Sequence, residues 1–518
     1  MSTPPPSIPV HRPLAAPLLL FVGLAAASVG LMLLSAALAQ SSLDPVVRPI
    51  DWLARLDVGD ALSNAAEVVA AVLAIAITVV AIVVELAANR YSHQITSLFL
   101  REPVNLLVLG LLVLTTVQCV WTGGLIDGTQ AEALVPQVGF AITLGMVTLS
   151  LLLLVPYIYF VFTFLSPISV IERICRDAYR AILRARHGNV PRSQHRVEES
   201  VDQLHDVARS AIAQGDRSVS MAAVDALAGL MTDYVRVRDG LPRHWLEITD
   251  SIAGDPDFVA LAPETMEEMR RQGFWLERKI LRRYLSLMGQ SAIHARDVAN
   301  LIGINTQKFA SDHFRDHPHV LELCIRTFNS YLRTTIAARD PRTAYFLMSQ
   351  YALVAERMLR EGNDEAAVTI AGHLRWYGQF AHTSGISILL ETAAYDITKL
   401  IEHAIEVESA AVDALLDCLL EVDQEIREDS HEKSLLGVRR AQMQIATLFL
   451  KRGDHERVQR IVADLAQESL ERLERLRRGL MTDDRLQYWE LMDRGVNFSY
   501  LPPDRRPWLD ELFDRLKA

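Results

Sequence analysis

The chain has 518 residues, too many for one ordinary core, so two or three domains are expected. Its 63 acidic residues outweigh 52 basic ones, giving a net charge of -11, which excludes a general nucleic-acid binder, since that needs a basic surface to displace counterions. Four scattered cysteines, Cys119, Cys175, Cys324 and Cys418, exclude a zinc ribbon or a CxxC redox site and suit a reducing cytosol.

The proline-rich start, Pro4-Pro5-Pro6, reads as part of a disordered tail over residues 1–13. Four apolar runs follow: Leu14–Ala39, Ala61–Ala88, Val104–Trp121 and Val138–Leu165. About 20 mostly apolar residues suffice for a helix to cross the hydrocarbon, and runs this long are helices rather than barrel strands. Ala37-Leu38-Ala39 resembles a signal-peptidase site, yet the run before it is well beyond the roughly 7–15 residues of a signal core. A retained helix is therefore expected, with Pro156 bending the fourth. Orientation follows the arginines. Arg90 and Arg101 lie between the second and third runs, whereas 122–137 has no basic residue and carries Asp127 and Glu132. The inner (cytoplasmic) membrane with both termini cytoplasmic is the consistent solution, although Arg48 and Arg55 then lie outside, accompanied by acidic neighbours. Tyr157, Tyr159, Phe160, Phe162 and Phe164 form an aromatic girdle at the inner interface. Glu67, Glu85 and Gln118 are the polar groups within the runs and the intramembrane candidates. Glu67 and Glu85 lie close enough to the segment ends to reach the interface, or in the case of Glu85 to pair with Arg90.

At Ser166-Pro167 a cap and an N1 proline open a helix expected to end near Gly188. Ile168, Ile171, Ile174, Cys175, Ala178 and Ile182 share one face, and Arg173, Arg176, Arg180 and Arg184 line another. A basic amphipathic helix (166–188) directly after a span reads as lying on anionic headgroups; the plainer reading is a positive-inside anchor. Arg270–Arg283 interleaves Arg270, Arg271, Arg278, Lys279, Arg282 and Arg283 with Phe274, Trp275 and Tyr284, which at helical spacing means a core stripe beside a solvated face.

Residues 190–518 read as helix after helix. Ala344, Leu347, Met348, Tyr351, Ala355 and Met358 recur with helical period between an Asp340-Pro341 start and a Gly362-Asn363 stop. Gly215, Gly362 and Gly453, each followed by Asp or Asn, suggest the turn inside tetratricopeptide-type hairpins, but no 34-residue period is present. The expected fold is all-α: a four-helix transmembrane domain, then a cytosolic, antiparallel, irregular α-solenoid-like array. His313, His317 and His319, with Asp312 and Asp316, are the metal candidates, weakened by Pro318, which makes the segment look like a loop entering a helix. There is no Walker loop, GxGxxG, HExxH or GxSxG motif, so neither cofactor nor enzymatic activity is expected.

Ala87-Ala88-Asn89-Arg90-Tyr91-Ser92-His93-Gln94-Ile95, followed by Phe99-Leu100-Arg101-Glu102-Pro103-Val104 through Gly110, resembles a bacterial family of predicted membrane proteins catalogued as a domain of unknown function. That family has a Ser-Pro-Arg-type turn and a Phe-Leu-Arg-Asp element where this chain has Ser92-His93-Gln94 and Phe99-Leu100-Arg101-Glu102. The likeness is clear around residues 87–121. From Ala213 to Leu227 it is looser, because the family's proline and Thr-Ala are missing. The resemblance implies a multi-helix membrane domain with a cytosolic helical domain, and no site residues. Function is expected to be that of a membrane-anchored helical scaffold or interaction module with a cytosolic protein partner. The alternative is a homo-oligomeric ion channel or small transporter.

Overall fold

The computed structural model describes residues 58–90, 103–128, 134–164 and 166–517 without 314, 316, 424–431 and 488–493, together with Gly23, Ala26 and Gly30. The chain divides into two compact units, Met1–Val170 and Ile171–Ala518.

In the first unit the apolar runs become α1 (Val58–Arg90), α2 (Pro103–Gly128) and α3 (Leu134–Phe164). Each contains a stretch able to cross a membrane: Leu62–Ile82, Val104–Gly123 and Ile142–Thr163. The first apolar run, 14–39, lies outside the described residues except for Gly23, Ala26 and Gly30, which are helical, and the tail 1–13 lies outside them altogether. Three of the four expected spans are thus described. Pro156 sits inside α3, which continues to Phe164. On α1, Leu62, Val69, Ala76 and Val80 are buried, a narrow seam of near-heptad spacing. The other faces are the reverse of a soluble helix: Ile75, Leu152 and Val155 are 64%, 69% and 74% exposed. So much bare aliphatic surface on consecutive helices needs lipid or protein against it.

α4 (Pro167–Arg184) spans the division with all but its first turn in the second unit, which continues with α5 (Val190–Gln214) and α6 (Arg217–Arg238). A short α7 (Asp250–Ala253) and α8 (Pro263–Gln272) lead to α9 (Trp275–His294) and α10 (Arg296–His313). Then come α11 (Pro318–Ala337), α12 (Pro341–Arg360), α13 (Asp364–Thr383), α14 (Ile388–Glu406) and α15 (Val412–Leu420). The chain closes with α16 (Glu432–Arg452), α17 (His455–Leu465), α18 (Leu470–Thr482) and α19 (Arg506–Lys517). Among the described residues there is no strand, only an isolated bridge between Gln487 and Val496.

Successive helices alternate between two layers. α6, α10, α12, α14 and α16 pack side by side in one, and α5, α9, α11, α13 and α15 in the other. The hairpin turns follow from local chemistry. Gly215, Gly362 and Gly453 have φ of 72°, 74° and 75°, the left-handed region that ends a helix cheaply only at glycine. The next residue caps the following helix: Asp216, Asn363 and Asp454 accept from the backbone N–H groups of Val219, Ala366 and Arg457. Asp340 caps α12 in the same way through Thr343.

α4 belongs to this packing. Ile171, Ile174, Ala178 and Ile182 are buried. The Cys175 thiol faces the Ala226 carbonyl on α6, and Asp177 lies 4.0 Å from Arg196 on α5. Ile168 is exposed, as are Arg176, Arg180 and Arg184, whereas Arg173 is half-buried.

Candidate functional site

The end of α6, the start of α9 and the start of α11 meet beneath an open cleft. An aromatic cluster sets their positions. Trp245 is fully buried, its ring 5.4 Å from that of Trp275 and 6.3 Å from that of Tyr234. Its carbonyl accepts from Trp275 Nε1 and Gln194 Nε2, both at 2.9 Å. The connection then turns at Gly273, φ 68°, where a Cβ would lie 2.7 Å from Leu246 Cβ. This brings Glu277, in the first turn of α9, beside Arg238, in the last turn of α6.

Arg238 donates through Nη2 to the carbonyls of Gln272 (2.9 Å) and Gly273 (3.2 Å), and its Nε lies 3.3 Å from Glu277 Oε1. On the other side His319 Nε2 is 3.9 Å from the same oxygen. Glu277 is 0% exposed, and neither of its carboxylate oxygens accepts a hydrogen bond; Arg238 Nε and His319 Nε2 are likewise buried without one. Phe274 stacks on His319 at 5.6 Å, and the rings of His317 and His319 are 5.7 Å apart. The cleft above them has a volume of about 590 Å³, with Asp239, Gln272 and Glu322 also in its wall. Burial pushes the His317 imidazole below its ordinary pKa, and Arg238 adds to the effect, favouring a neutral ring.

Of the three histidines singled out in the sequence, then, two share this cleft. His313 ends α10 with its ring 5.1 Å from Phe309. Asp312 is exposed, and Asp316 lies outside the described residues. Glu277 could not be found by spacing, because it joins His319 from 42 positions upstream.

The described carboxylates that converge most tightly are Asp202, Asp255 and Asp257, and a cation already sits among them. Lys279 Nζ, fully buried, is 2.6, 2.9 and 3.6 Å from Asp255, Asp202 and Asp257. Arg283 adds contacts to Asp202 (2.7 Å) and Asp257 (2.9 Å). Phe274, Trp275 and Tyr284 of the same basic stretch are buried, the core stripe that their helical spacing suggests.

In the membrane unit a line of polar side chains joins α2 to α3. Tyr157 donates to Asn105, Thr115 pairs with Ser150 at 2.9 Å, and Thr122 pairs with Thr143 at 3.1 Å. Gln118 donates to Thr122 at 3.4 Å, and its Oε1 is buried without a partner. Gln118 thus faces a seam within one chain, whereas Glu67 and Glu85 lie on exposed surface of α1.

One surface feature of the array stands apart. Trp376 is 44% exposed and stacks on Phe380 at 5.2 Å, with the Arg333 guanidinium 5.4 Å from the Trp376 ring and 5.8 Å from the Phe380 ring. Arg333 itself is exposed.

Residues 13–235 match a family model described as "Predicted membrane protein (DUF2254)", a domain of unknown function. No curated protein matches the chain. Among solved structures, a circular tandem repeat protein with novel repeat topology and enhanced subunit contact surfaces is similar at 15% identity and a TM-score of 0.34, covering 97% of each chain. An engineered protein is similar at 11% identity and a TM-score of 0.20, covering 89% of this chain and 95% of its own.

Proposed function

We propose that this chain, a membrane protein with a family match over residues 13–235, is a non-catalytic, membrane-anchored helical scaffold that presents its array to a protein partner in the cytosol. Four spans, insertion in the inner (cytoplasmic) membrane and cytoplasmic termini complete the reading. The observation that carries it is the Arg333–Trp376–Phe380 stack. Arginine and tryptophan dominate interface energetics because a rigid ring and a planar cation cover much area at little entropic cost. Exposed Arg176, Arg180 and Arg184 offer contacts to anionic headgroups, while the apolar side of α4 is taken up by protein.

The test is photocrosslinking in native membranes from a probe placed at the exposed position 337, one turn along the helix from Arg333, with and without Trp376→Ala and Phe380→Ala. A discrete adduct that weakens about tenfold or more in the double variant is expected, as for loss of a hot spot. An unchanged crosslinking pattern would remove this surface from the proposal.

A second reading, an oligomeric channel or small transporter, draws support from the α2–α3 seam and the unpartnered Gln118 oxygen. Reconstituted flux should then change with Gln118→Leu; flux unaltered by this substitution counts against the seam as a path.

A further inference from the structure

We propose that residues 494–500 sit as a built-in ligand in a peptide-recognition site on α12, α14 and α16, whose partner is an extended protein segment carrying an arginine and, four positions on, an aromatic residue. This goes beyond the scaffold reading: it concerns the other layer of the array and stands even if the Trp376 surface proves idle.

The segment crosses three neighbouring helices of one layer and makes a different kind of contact on each. Arg494 donates from both terminal nitrogens to the two carboxylate oxygens of buried Asp396 on α14, in one case at 3.1 Å. Its guanidinium lies 4.8 Å from the Tyr345 ring on α12. Phe498 stacks on Tyr395 of α14 at 4.4 Å, with Tyr345 6.3 Å away. Gln444, buried on α16, donates through Nε2 to the carbonyls of Phe498 (3.0 Å) and Tyr500 (2.9 Å). A carboxylate gripped through both oxygens beside an aromatic ring selects arginine over lysine, which is a point charge without the planar fork. The two tyrosines select a ring, and the Gln444 amide grips main chain whatever side chains it carries. Main-chain bonds for affinity with pockets for specificity is how folded domains hold extended peptides.

Three observations separate a seated ligand from a piece of core. From Arg494 to Tyr500 only Asn497 is buried, and its amide nitrogen is spent beside the segment, on Asp483 (2.9 Å) and the Arg485 carbonyl (2.7 Å). The segment thus adds no buried apolar side chain to the array. The flanking helices are joined without it: Arg506, which opens α19, donates to the carbonyl of Asp483, just past α18, at 3.0 Å. Asp396 would be stranded once Arg494 left, so an arriving segment must bring a guanidinium of its own.

The experiment uses the full chain in detergent and a fluorescein-labelled peptide of residues 494–502, read by anisotropy. Arg494→Ala/Phe498→Ala clears the site of the chain's own two side chains. This double variant should bind the peptide saturably and at least about tenfold more tightly than the parent, whose own segment competes at the millimolar effective concentration of a short tether. Adding Asp396→Asn should weaken that binding about tenfold or more. A peptide with alanine at both the Arg494 and Phe498 positions should not bind. No saturable binding to the double variant overturns the proposal, as does binding that is as tight in the parent or indifferent to Asp396→Asn. Should the double variant fail to fold, Phe498→Ala, which leaves Asp396 paired, takes its place, with the parent and the alanine peptide as its comparisons.

Discussion

Individual side chains in the array are held by pairs that neither partner can leave. Arg238 and Glu277 are both buried, so Arg238→Ala strands a carboxylate in the core; a loss of about 3–5 kcal/mol is expected, read as a fall in the melting temperature. Replacing both residues with methionine should recover much of that loss, which an unrelated packing defect would not. His373 gives a pH test. Its Nδ1 lies 2.9 Å from the Tyr351 hydroxyl, and burial holds its pKa below the ordinary 6.5. In the window between those two values the unfolded chain binds more protons than the folded one, so stability falls as pH drops through it. His373→Gln should therefore lose less melting temperature than the parent between neutral pH and about pH 5.5. At this scale the sequence was half legible. The pairing of His317 with His319 could be read from adjacency, but Glu277 and Arg238 reach them only through the fold, and no spacing rule connects α6, α9 and α11.

Whole elements were more readable because their ends are local chemistry. The glycine before an Asp or Asn marks three hairpin turns, since one residue must enter the left-handed region and the next must cap the following helix. What could not be read was the alternation of the helices between two layers, which depends on contacts between helices one removed in sequence. The two kinds of glycine make the distinction measurable. Gly362 has open space where an alanine methyl would stand, so Gly362→Ala should cost only its backbone strain at φ 74°, about 1 kcal/mol. Gly378 lies where α13 meets α14, and a Cβ there would come within 2.8 Å of the Ala393 methyl and 3.4 Å of the Leu389 carbonyl. Neither neighbour is a flexible side-chain tip, so Gly378→Ala should cost more, about 1–3 kcal/mol by overpacking. Chemical denaturation of both variants checks the order; equal losses would mean that α13 and α14 separate easily.

At the level of the molecule, the two units obey opposite rules of burial. The first leaves many of its aliphatic side chains outside and joins α2 to α3 through hydroxyls and amides, as expected where lipid rather than water surrounds the helices. The second hides its apolar residues conventionally. Hydropathy located that change near residue 165, close to the division after Val170; what it could not show is that the apolar side of α4, read from the sequence as a basic helix for the lipid surface, is packed against protein. Truncation makes the difference measurable. A fragment of residues 167–518 keeps Ile171, Ile174 and Ile182 in place, whereas a fragment of 188–518 uncovers the surface they bury. The difference should be on the order of 5 kcal/mol, counting roughly 1.5–3 kcal/mol for each buried isoleucine and allowing for partial burial in the unfolded chain. The longer fragment should therefore be a soluble, cooperatively melting helical protein, and the shorter one should melt markedly lower or aggregate through the uncovered faces of α5 and α6. Matching melting curves for the two fragments would show that α4 is an ornament of the array, and would return it to the membrane surface that its arginines suggest.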